Sequence, residues 1–406
     1  QNFESTFQQL YLTNPSFATF VDTMNSWGHD SLFDALQPGK SAVMHLVNLL
    51  KAHPELLGAI NQILQAIDSL VRSGSVTIPY PGIDINTWIA KEHIVALYAI
   101  ARIQVASQTG VYQQAGLTPV LVANYVAAMA QALSAGGIAA YSAYLSSYVL
   151  TSWADRFLHP TEGIANVVAQ VVTIGILVSR GWTVTWSALM NESQIELLFR
   201  SREGFEALDL VATTTINQRK TAAFIHVEAR LVSEEVDRIA NTLLALAAEA
   251  RLATDASLQP NPLQNLGVLT HDPVAILIAY NSDQTTINQL IQQLGTPMAT
   301  VVIIWVDSQG ITHVVGICGQ DGCPGGLSAQ EYANAIALAL GFQEGQPFTG
   351  LASAVPEISQ SQLAVIKFLM TVSTWKVFKF AVMACEGEIG CIIMLVGEGW
   401  TKYQPI

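Results

Sequence analysis

Four cysteines are the side chains best suited to covalent or metal chemistry, and all lie in the last quarter of the chain: Cys318, Cys323, Cys385 and Cys391. Cys318 and Cys323 bracket Gly319-Gln320-Asp321-Gly322, a turn by composition. Cys385 and Cys391 bracket Glu386-Gly387-Glu388-Ile389-Gly390, at the tip of an expected hairpin. An even cysteine count favours disulfides, either as two local staples or as two crosslinks between hairpins. A zinc site built from all four cysteines is the sharper alternative, although both spacings exceed the usual knuckle. Free thiols are the third reading.

The remaining reactive side chains are sparser. His313 stands five residues before Cys318, and on one strand an odd spacing sends the two to opposite faces. His226-Val227-Glu228 and Glu234-Glu235 suggest acid–base or metal work. On a helix, positions two apart diverge, and no H-E-x-x-H spacing is present. These residues therefore read as a solvated bundle face. Asp321 alone is not a calcium site. The chain contains no G-x-G-x-x-G, P-loop, G-x-S-x-G or C-x-x-C-H motif. No catalytic residue, cofactor or metal is expected from motifs.

The elements that must carry these residues divide the chain in two. Residues 1–255 read as an all-α helical bundle. Apolar residues from Leu56 to Val71 recur at helical spacing, and Ser73-Gly74-Ser75 stops them. From Glu192 to Arg251 the pattern is charged and amphipathic: Val232, Val236, Ile239, Leu243 and Leu246 follow a coiled-coil-like seam, and Phe224, Val227 and Leu231 follow a shifted frame. Leu258 to Asn265 is a linker by composition, within a boundary at 256–269.

Residues 270–406 read as a smaller α+β domain with antiparallel hairpins. A strand is expected over 274–280, a helix over 285–294, and a hairpin from 299 to 317 turning at Asp307-Ser308-Gln309-Gly310. A helix over 328–340 opens on a Ser328-x-x-Glu331 capping box. A further helix over 360–371 and a second antiparallel pair, 376–384 with 392–396, complete the expectation. The whole is an α+β fold.

Composition frames the function. Charged residues make up 12% of 406, about half the usual ~25%, and apolar residues 51%. From Ile103 to Ala154, 52 residues pass without a charge, and Gly163 to Ser179 is again uncharged. A water-facing helix carries charge on one face, so these segments must be buried in a core, a neighbouring subunit or lipid. Leu117–Leu133 and Ile138–Ala154 are 17 residues each, about 25 Å as helix, short of the ~30 Å hydrocarbon core. Tyr141, Tyr144 and Tyr148 form a stripe, and Ala140 and Ala143 permit close helix contact, so these five mark an expected interface.

Net charge is −13, and no Lys or Arg occurs between Arg251 and Lys367. Nucleic-acid binding needs basic clusters, so it is not expected. A start at Gln1 suggests a removed signal peptide, and Asn191-Glu192-Ser193 is a lone glycosylation sequon. The expected protein is an exported, extracellular or virion, structural subunit that forms a homo-oligomer or larger assembly. The alternatives are a membrane-inserting protein with a hydrophobic hairpin over 117–179, and a secreted enzyme of another class.

Overall fold

The computed structural model describes residues 49–74, single positions between 85 and 108, 110–134, 160–186, 208–257 and 267–348. The chain forms two compact units, one of residues 1–164 with 351–406 and one of residues 165–350.

In the first unit, α1 (Leu56–Arg72) buries Leu56, Ala59, Ile60, Ile63, Leu64, Ile67 and Val71. This is the apolar stripe that its 3.6-residue period requires. Gly74 follows the helix with φ of 76°, a conformation that suits a residue without Cβ. Part of the uncharged run is helical up to residue 134, and there Leu121, Val122, Tyr125, Val126, Met129 and Leu133 are all buried. The interface residues Ala140, Tyr141, Ala143, Tyr144 and Tyr148 lie outside the described residues. So do Cys385, Cys391, the helix over 360–371 and the second antiparallel pair.

The second unit corrects the expected fold class. Three strands precede residue 255: β1 (Thr183–Trp186), β2 (Leu210–Ile216) and β3 (Arg219–Glu228). They continue into β4 (Asp272–Ala279), β5 (Thr300–Val306) and β6 (Thr312–Ile317). The six form one sheet in sequence order. β1, β2 and β3 are antiparallel, β3, β4 and β5 are parallel, and β6 returns antiparallel. The sheet is mixed, and an all-α reading of everything up to residue 255 does not hold.

The reason is local chemistry. Leu210-Val211-Ala212-Thr213-Thr214-Thr215-Ile216 is rich in β-branched side chains, which suit a pleated surface better than a helix. Asn217 and Gln218 both have positive φ, 50° and 65°. That is the type I′ geometry of a two-residue hairpin loop, with asparagine at a position that tolerates it. Phe224 and Val227, which fit a helical frame on paper, sit on β3.

Helices cover both faces of this sheet. The seam Val236, Ile239, Leu243 and Leu246 is buried along α3 (Val236–Thr254), but it meets the sheet, not a second bundle helix. It packs with Phe224, Ala275, Leu277, Val301, Ile303 and Trp305, and with Ile287 and Leu290 of α4 (Gln284–Leu294). Both parallel crossovers thus run over one face. The opposite face meets α5 (Ala329–Leu340): a Cβ on Gly316 of β6 would collide with the Ala329 carbonyl and lie 2.9 Å from the Ala333 Cβ. There also the Tyr280 hydroxyl lies 2.7 Å from that of Thr173 on α2 (Pro160–Ser179). Ser328 caps α5 by accepting from the Glu331 N–H. Asp283 caps α4 through the Thr286 N–H.

Among the described residues, no helix is long and apolar enough to cross a membrane.

Candidate buried acid–base cluster

β3 ends in His226-Val227-Glu228, and strand geometry changes what that spacing means. Residues two apart on a strand share a face. His226 Nε2 lies 2.7 Å from Glu228 Oε1. On the same face, at the entry to β2, Asp209 stands opposite His226, and its Oδ2 lies 3.3 Å from His226 Nδ1. The imidazole therefore sits between two carboxylates. The side chains of His226 and Glu228 are only 7% and 4% exposed, and that of Asp209 14%. The expected solvated bundle face is instead a buried cluster.

Neighbouring elements hold these groups. The Val227 N–H donates to Asp209 Oδ2 at 2.7 Å. The Ala229 N–H donates to Asn166 Oδ1 on α2 at 2.8 Å, and the Asn166 amide also bonds to the Glu228 carboxylate. The Tyr280 N–H donates to the Glu228 carbonyl, and the Leu231 N–H to the Asn281 carbonyl. These bonds tie the carboxyl ends of β3 and β4 together. From the first turn of α3, Arg238 reaches Glu228 at 3.5 Å and Glu235 at 3.1 Å, with its own side chain 55% exposed. Glu234, the neighbour that drew attention in the sequence, is exposed.

The two carboxylates respond differently to this setting. Burial raises the Asp209 pKa to about 6, and the charge on His226 and the Val227 N–H only partly offset it. Burial also opposes ionisation of Glu228. The hydrogen bond and charge of His226, then the charge of Arg238, outweigh it and hold Glu228 below the usual carboxylate range. Glu228 has the shorter imidazole contact and the direct ion pair with Arg238; the charge on Arg238 also favours ionised Asp209, but as the smallest of the influences on it. The cluster thus pairs one carboxylate that stays ionised with one that titrates near neutrality, which is the pattern of acid–base sites.

Position bears on what the cluster can do. In open α/β sheets, ligands bind outside the carboxyl ends of parallel strands where the chain order reverses. Here β3, β4 and β5 follow in order, with α3 and α4 packed together on one face, so these strands have no such reversal. The cluster can hold and pass protons. Among the described residues, no group of three or more His, Cys, Asp or Glu side chains is arranged to hold a metal.

The other sequence candidates separate. Cys318 and Cys323 are joined in a disulfide. Bridged sulfurs are not thiolates, so this pair is not half of a zinc tetrahedron. His313 is 2.7 Å from Asp307 and 3.5 Å from Glu344, and its ring stacks on Trp305 with centroids 5.1 Å apart. Asp321 pairs with Arg251 at 3.2 Å. Sequence reasoning missed Asp209, which stands 17 residues from His226 and meets it only through the β2–β3 hairpin; the Thr213-Thr214-Thr215 run ahead of Asn217 was the signal for that hairpin. No family model matches the chain, and neither curated proteins nor solved structures contain a significant match to it.

Proposed function

We propose that the chain is an exported structural subunit of a cell-surface or virion assembly. The observation that carries the reading is the Cys318–Cys323 disulfide, since such bonds persist in oxidising compartments. Two properties accompany it. Only 12% of residues are charged, and the described part of the uncharged run, up to residue 134, is mostly buried. The second is burial within the chain itself; the low charge over the whole sequence is what burial between copies would account for. The test is the mass of the full chain in non-reducing, detergent-free buffer. A stable large assembly is the expected result. A monomer that releases dye from liposomes moves the reading to a membrane-inserting protein using residues 117–179, and a monomer inert to lipid removes both.

A secreted enzyme is the second reading, and the Asp209–His226–Glu228 cluster favours it. A carboxyl group titrating near neutrality beside an imidazole suits general acid–base work. Its test is whether a soluble monomer that turns over a screened substrate loses that activity in Asp209→Asn.

A further inference from the structure

The Cys318–Cys323 bridge closes a loop that other contacts already hold. The Gln320 N–H donates to the Pro297 carbonyl at 3.0 Å, and the Gly322 N–H to the Gly319 carbonyl at 3.0 Å. The Gly319 N–H donates to the Thr300 hydroxyl at 3.2 Å. Gly319 lies so close to the start of β5 that a Cβ there would stand 2.7 Å from the Ala299 carbonyl carbon. From the last turn of α3, Arg251 reaches Gln320 Oε1 at 3.0 Å and Asp321 Oδ2 at 3.2 Å. The bridge spans five positions, so the chain entropy it removes is small. Opened, it would leave both sulfurs as neighbours in a loop that keeps its place. The two sulfurs are not equivalent. Cys318 is partly exposed just past the end of β6, whereas Cys323 is buried, at 9%. The Thr300 hydroxyl, which accepts from the Gly319 N–H, directs its own proton at Cys323 Sγ, 3.9 Å away. Among the described residues, no donor reaches Cys318 Sγ.

We propose that Cys318–Cys323 is a thiol-exchange site, opened and closed in the folded chain by small dithiols, with Cys318 the sulfur attacked and Cys323 the sulfur that leaves. A thiolate of the dithiol attacks Cys318 Sγ. The Cys318–Cys323 bond breaks, a bond between Cys318 and the reagent sulfur forms, and the electron pair leaves on Cys323. Such a step is faster the better the leaving sulfur carries charge. A hydroxyl proton aimed at Cys323 favours its thiolate. The second thiol of the reagent then gives up its proton and attacks the first reagent sulfur. That closes the reagent's own disulfide and releases Cys318. Two hydrogens have passed from the dithiol to the two cysteines, so the dithiol is oxidised and the bridge reduced. The oxidised reagent runs the same steps in reverse. The site does not depend on the assembly reading.

The test is reduction of the full chain in native buffer. Dithiothreitol should open the bridge at a rate proportional to its concentration, with the sheet retained by circular dichroism. With 2-mercaptoethanol, an acid quench and peptic mapping should find the mixed disulfide on Cys318 about tenfold more often than on Cys323. Thr300→Val keeps the shape and removes the hydroxyl. It should slow opening about three- to tenfold, the worth of one hydrogen bond to the leaving sulfur. Thr300→Ser should keep the rate of the unaltered chain. A Thr300 that only held the loop would act with the opposite sign, because losing its bond to the Gly319 N–H would free the loop and speed attack. An opening rate independent of thiol concentration overturns the proposal, since unfolding would then precede attack. So does a mixed disulfide shared equally or carried mainly by Cys323, or unchanged or faster opening in a folded Thr300→Val. Should that variant fail to fold, the position of the mixed disulfide in the unaltered chain decides.

Discussion

His226 Nε2 lies 2.7 Å from Glu228 Oε1, a contact between residues two apart that the extended backbone of β3 brings onto one face. On a helix the same two side chains would point roughly 200° apart. The contact thus depends on β3 being a strand, and it gives an ionised carboxylate three partners, His226, Asn166 and Arg238.

Asp209 should make the unit of residues 165–350 lose stability as pH rises. Its folded pKa, about 6, lies above the ordinary 3.8. The folded state then binds more protons between these values, and stability falls as pH climbs through them. A shift of this size corresponds to about 3 kcal/mol. Asp209→Asn should flatten this part of the profile between pH 4 and 7, read as urea-dependent exchange of β3 amides. An unaltered profile would count against the ionised, buried Asp209.

Glu228 acts with the opposite sign. Its folded pKa is lowered, so its contribution is present at neutral pH and lost as pH falls through the folded value, below the ordinary 4.5. Glu228→Gln keeps the shape and removes the charge. At pH 7 it should cost about 1–3 kcal/mol, since His226 and Arg238 lose their ionised partner. Arg238→Ala should cost less, about 1 kcal/mol or below, because that side chain is half exposed and its pairing is screened. Denaturation of the two variants side by side checks the order.

Gly316→Ala should destabilise by about 1–3 kcal/mol, as overpacking does. The added Cβ meets the Ala329 backbone, which cannot move without displacing α5. Thermal denaturation measures it, and a shift within error would show that α5 packs less closely on β6.

Opening the disulfide should have a local and modest effect. The bridge joins cysteines five positions apart, and the chain-entropy model gives about 2 kcal/mol for so short a loop. A Cys318→Ser, Cys323→Ser double variant should keep its sheet by circular dichroism and exchange faster mainly around residues 318–326. Mass spectrometry of peptides from the unreduced, alkylated protein should recover Cys318 and Cys323 linked to each other.

The C-terminal part of the sheet was legible in the sequence because its signals are local. Turn residues at Asp307–Gly310, the Ser328 capping box and the short apolar runs of β4 and β5 each specify their element within a few residues. The amphipathic face of α3 was equally legible, since burial of Val236, Ile239, Leu243 and Leu246 follows from helical period alone. What that face meets was not. A stripe of apolar side chains packs on a sheet or on another helix with the same pattern, so only the tertiary fold chose the sheet.

The cluster was hidden for the same reason. Whether His226 and Glu228 meet depends on the period of the backbone, and whether Asp209 joins them depends on the β2–β3 register, Leu210 against Ile225. Sequence by itself determined the apolar, weakly charged character of the chain, the burial of its charge-free helix up to residue 134, and the elements between residues 272 and 340. The tertiary structure alone decided the parallel pairing of β3, β4 and β5 and the buried acid–imidazole–acid contact. The first joins β3 to β4 across about 50 residues of chain, and the second depends on the backbone period at His226 and Glu228 and on the register of the β2–β3 hairpin, which spacing alone does not give.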